Sequence, residues 1–202
     1  MLTLVEKILF IVLAAASLGL AYYTFRQAAR VIGQGEGRLH WDRLPARVVR
    51  ALDVFLTQRT VFRTRPVASL LHAFVAWGFT YYVLINVVDV ALGFVDFEFL
   101  GGGTLGGIYR LIGDVLSALV LIGVVYFLVR RFIARAPALR FHENVKLHPA
   151  VLPGLRYDSL IVGLFILTHV GMRFLGETAA IARAGDDAWQ PLASAVAGVW
   201  SG

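Results

Sequence analysis

Four long apolar runs, with almost all the charge confined between them, constrain this chain more than any other feature. They extend roughly from Leu4 to Phe25, Val67 to Val90, Leu105 to Phe132 and Leu160 to Leu175. Bilayer hydrocarbon offers a backbone N–H or C=O no partner, so a segment that crosses it must satisfy those groups internally. A helix of about 20 apolar residues does this. The fourth run is the shortest, and its helix is placed as far back as Tyr157 to reach a spanning length. With 58% hydrophobic residues, the chain is too apolar for a soluble domain. The first run is too long, and too clearly followed by further spans, for a cleaved signal peptide. The fold expected is an all-α membrane protein in one domain, residues 1–202, with four transmembrane helices visible.

Charge between the runs sets an orientation. The connections around Arg26–Arg65 and Arg130–Arg156 carry fifteen of the nineteen basic residues. The opposite side holds Asp89, Asp96, Glu98, Glu177, Asp186 and Asp187. By the positive-inside rule the basic connections are cytoplasmic and the N-terminus is outside, in a cell (inner) membrane. The same rule explains the net charge of +6 without nucleic acid as a partner. The chain has no cysteine, hence no iron–sulfur cluster of its own; such a cluster belongs to a partner or another domain.

Two further segments stand apart. Over residues 44–62, Leu44, Val48, Leu52 and Phe55 or Leu56 recur at helical spacing between Arg47, Arg50, Asp53 and Arg59. This is an amphipathic helix, either lying on the cytoplasmic membrane face or packing on a partner subunit. Residues 188–202 begin a new apolar stretch too short to span. Either it lies at the outer interface or, as preferred, it starts a fifth helix of a truncated antiparallel bundle. The glycine-rich stretch Gly101–Gly107 follows no strand and lacks phosphate-loop spacing, so it is an outer loop.

Inside the spans, the residues that demand explanation are His72 and His169. An intramembrane ionisable residue is costly and marks function by default, and imidazole is a standard axial ligand of haem iron. The bland alternative is a hydrogen bond between helices. His72 lies six residues past Pro66 and His169 thirteen past Arg156, on two spans that run the same way. Their depths then differ by about 10 Å at 1.5 Å per residue. They are not expected to share one iron; two stacked haems, each taking one ligand here, fit better. Arg173, one turn beyond His169, is placed either to pair with a haem propionate or to snorkel to the interface. Asp114 and Asp89 are open to two readings: proton acceptors for a quinol, or helix-terminal acids stabilised by the dipole. His40, His142 and His148 fall in the basic connections and are expected to be solvated, and Met172 to pack.

Several of these residues together resemble a known family. Gln58-Arg59-Thr60-Val61 precedes the second span, which carries His72, Phe74 and Trp77-Gly78-Phe79, and His169 follows in the fourth. This layout, with its N-out topology, resembles the respiratory nitrate reductase gamma-subunit family of membrane cytochromes b. It looks most like the branch fused to, or partnered with, heterodisulfide reductase-type iron–sulfur proteins. The resemblance implies a haem b subunit or domain of a quinone-linked respiratory oxidoreductase, with His72, His169 and Arg173 at the cofactors. It implies an electron-transfer component rather than a stand-alone catalyst. Menaquinone or ubiquinone would be the substrate, and a cytoplasmic iron–sulfur or flavin partner, electron-transfer flavoprotein among them, the other terminus. In longer relatives a fifth helix supplies further histidines and a cysteine-rich domain follows. The competing classes are a haem-free membrane anchor and a transporter; the latter predicts broken helices and charges at the bilayer midplane.

Overall fold

The structure is a computed structural model that describes residues 2–35, 41–62, 65–95, 103–139 and 151–200. It is an all-α membrane protein: four of its helices are long and apolar enough to cross a bilayer. They are α1 (Leu4–Gly33), α4 (Pro66–Phe94), α5 (Gly103–Leu128) and α6 (Leu152–Ala184). Between α1 and α4 lie α2 (Leu44–Thr57) and the short α3 (Arg59–Phe62). After α6 comes α7 (Pro191–Ala197), closed by the 3₁₀ turn Gly198–Trp200. Helices α1, α4 and α6 outrun their apolar runs, because backbone hydrogen bonding continues into the polar flanks, whereas α5 gives way to a π-helical turn, Val129–Ile133, before its run ends. The fourth differs most: α6 has 33 residues, about 50 Å at 1.5 Å per residue, while the part of it fit to cross a bilayer, Tyr157–Ala184 with 28 residues, begins at Tyr157 and is the shortest of the four spans.

The chain divides into two compact units. The first comprises residues 1–57 and 86–97. Here Thr3 and Glu6 form a reciprocal capping box at the start of α1. The Leu2 N–H donates to the Gly93 carbonyl at 3.0 Å, and the Phe10 and Phe94 rings meet edge to face at 5.7 Å. No residue of α1 is buried; a helix apolar all round and open all round is built for lipid.

The second unit comprises residues 58–85 and 98–202. α4, α5 and α6 pack antiparallel in sequence order, so α4 and α6 run the same way. Their core is Tyr82, Ile85, Val120, Val124 and Val170. Close approach is set by small residues, as between membrane helices generally. Gly78 abuts the Val120 side chain. A Cβ on Gly123 would stand 2.8 Å from Val75 Cγ2, and one on Gly163 2.6 Å from Leu128 Cδ2. Tyr82 Oη and Ser117 Oγ hydrogen-bond at 2.7 Å across α4 and α5, and Tyr81 Oη donates to the Tyr109 carbonyl at 2.7 Å.

Two segments refine the expectations. The amphipathic stretch 44–62 is not one helix: it breaks at Gln58, whose φ of 50° is left-handed, and resumes as α3. The tail folds into α7 and packs on α5 and α6, with Ala193 fully buried.

Candidate functional site

His72 stands on α4 one turn before Ala76, where it meets the Phe127 ring of α5 edge to face at 6.3 Å. Beside it opens a cavity of about 560 Å³ between α4, α5 and α6, within the ~300–1,000 Å³ usual for cofactor and ligand sites. Its walls are mainly apolar, including Val75, Val124, Phe127 and Ile166; the polar lining groups are His72, Arg131, Asp158 and Ser159. Arg131 owes its place to a π-helical turn, Val129–Ile133, at the end of α5. Such turns are rare and frequent at functional sites. The guanidinium Nη2 donates to the Leu155 carbonyl at 3.1 Å, which fixes it at the edge of the cavity.

His169 stands on α6 in a different setting. Phe165, one turn earlier, stacks on its imidazole at 5.9 Å with planes 3° apart. The buried Tyr82 ring meets it edge on at 6.0 Å, and Tyr82 is itself fixed by Ser117. Arg173, the next turn, pairs with Glu177 at 3.6 Å.

The two imidazoles lie at different levels. Tyr82, which touches His169, is ten residues beyond His72 on α4. On α6, His169 is six residues beyond Gly163, which lines the His72 cavity. The offset along the helices is therefore about 9–15 Å, too large for one iron to bridge. Among the described residues neither histidine makes a hydrogen bond to protein, so the interhelical hydrogen bond that would explain them blandly is not made there. No group of three or more His, Asp or Glu side chains gathers among those residues as a metal site.

Asp114, on α5, is buried, and both its oxygens accept backbone N–H groups at the start of α7: Leu192 at 2.7 Å and Ala193 at 3.0 Å. It is a helix-terminal acid, but of a helix other than its own. Arg110 joins it in holding this region through Asp187 at 2.9 Å. Arg131 and Asp158 had counted only as loop charges in the sequence. The i, i+4 spacing from Phe127 to Arg131 was legible, but the π turn that swings it inward was not. His40, His142, His148 and Gly101-Gly102 lie outside the described residues.

Comparison with protein-family models, with curated proteins and with solved structures gives no match to this chain.

Proposed function

We propose that this chain is the haem b-containing membrane subunit or domain of a quinone-linked oxidoreductase. In this reading His72 and His169, at two levels of the bundle, would each give a nitrogen ligand to the iron of a haem. One observation carries it: two imidazoles on parallel helices, about 9–15 Å apart in depth, neither hydrogen-bonded among the described residues. The residues present fit such groups. The His72 cavity is apolar, has the volume for a ligand, and has Arg131 at its edge to take a carboxylate.

When bound, haem iron carries one electron at a time between its ferrous and ferric states. The chain's own residues do the rest. His72 and His169 donate nitrogen; Phe127, Phe165 and Tyr82 fix the two rings; the apolar walls exclude water and so tune potential. Remaining ligands come from outside the residues that surround these two. Electrons pass between an iron–sulfur or flavin partner at the basic connections, placed in the cytoplasm, and menaquinone or ubiquinone in the cell membrane. Electron-transfer flavoprotein fits as the ultimate donor, and the chain is a conduit in such a complex rather than an enzyme alone.

A reduced-minus-oxidised optical spectrum of the protein purified from native membranes, with haem counted per chain, tests this. Two haems b are expected, one lost in His72→Ala and the other in His169→Ala. A folded preparation without haem overturns the reading and leaves a membrane anchor or a transporter.

A further inference from the structure

The helix α2 is amphipathic in the inverse sense for a packed helix. At 3.6 residues per turn, Leu44, Val48, Val49, Leu52 and Leu56 fall within one arc of about 140°. All five are exposed, from 43% to 66%. The half-buried positions, Asp53 and Val54, lie off that arc. The apolar face thus points away from the chain. Arg47 lies beyond the Leu44 edge of the arc, and Arg50 nearly opposite its centre.

Topology states where this face must lie. One connection joins α1 to α4, so both helices end at the same membrane surface. Residues 34–43 and 58–65 are the only chain between α2 and those two ends. A 14-residue helix, about 21 Å long, tied at both ends to one surface lies beside that surface. The whole connection from Arg26 to Arg65 holds nine arginines against Glu36, Asp42 and Asp53. An apolar face for the acyl boundary on a helix whose other side and flanking connection are basic is the pattern of an in-plane interfacial helix.

We infer that α2 is a lipid-binding element: its Leu44–Leu56 face inserts into the leaflet where α1 ends, and the arginine-rich connection that carries it draws it to anionic headgroups. This stands on the membrane fold alone and is independent of haem.

The cysteine-free sequence makes the test direct. The full chain carries a nitroxide on Val48→Cys or, on the opposite side, Ala46→Cys. It is reconstituted in phosphatidylcholine vesicles with or without phosphatidylglycerol, and collisions with oxygen and with a water-soluble nickel chelate are compared. Expected are oxygen-dominated collisions at 48, chelate-dominated collisions at 46, and deeper insertion at 48 with phosphatidylglycerol. Arg47→Gln with Arg50→Gln reduces that lipid dependence. A label at 48 open to the chelate in anionic vesicles overturns the inference. So does a label shielded from both reagents, which makes the face a protein interface, or depth unaffected by phosphatidylglycerol.

Discussion

At the scale of single residues, the polar groups inside the spans divide by what satisfies them. Asp114 has both carboxylate oxygens on backbone N–H groups of α7, and a buried donor that loses its acceptor costs about 1–3 kcal/mol. Asp114→Ala should therefore speed amide hydrogen exchange at Leu192 and Ala193 by about 5–150-fold, the same energy expressed as an equilibrium. Unchanged exchange at both amides would show that α7 is held elsewhere. Trp200 Nε1, which donates to Thr178 Oγ1 at 2.8 Å, and the Arg110–Asp187 pair are the other ties of this region. The histidines are the opposite case, since among the described residues they meet only aromatic rings and no hydrogen-bonding group. That both were worth singling out was legible from the sequence, because imidazole in an apolar run is conspicuous. That Asp114 secures another helix was not, because its partners lie 78 and 79 residues away.

At the scale of elements, glycine governs how closely α4, α5 and α6 approach. A Cβ on Gly78 would overlap the Val120 side chain, and Val120 is only 2% exposed. Overpacking such a site costs about 1–3 kcal/mol. Gly78→Ala should lower the thermal midpoint of the detergent-solubilised protein, and adding Val120→Ala should restore most of the loss. Gly19→Ala, where a Cβ meets nothing within 4 Å, should leave the midpoint unchanged or slightly higher. A double variant no more stable than Gly78→Ala would refute direct contact as the cause. Helix existence followed from the apolar runs, but their ends did not. The extension of α6 to Ala184, the π turn after Leu128 and the break at Gln58 depend on backbone hydrogen bonds that hydropathy does not report.

At the scale of the molecule, four spans and an uneven charge distribution carry a topology that can be checked without a ligand. The basic connections are expected inside and the acidic ones outside. Single cysteines at Gly35 and Ala136 should resist a membrane-impermeant maleimide in intact cells and react after permeabilisation. One at Asp186 should react in both. The reverse pattern would invert the membrane orientation and move the proposed electron donor to the other face. Orientation matters to the proposed function, because His72 lies toward the start of α4 and His169 near the middle of α6, which runs the same way. Their order across the membrane fixes which is nearer the donor.

By itself, the sequence determined the membrane class, the number of long helices and the offset in depth of the two histidines. These follow from the length of apolar runs and a fixed rise per residue, which are local quantities. Tertiary structure decided the rest: the cavity beside His72, the inward turn of Arg131, the Phe165 and Tyr82 rings around His169, and the docking of α7 on Asp114. Each of these needs side chains from helices far apart in sequence to meet. Within a bilayer, close packing at small residues and the satisfaction of buried polar groups choose those meetings, and neither is written in any one segment.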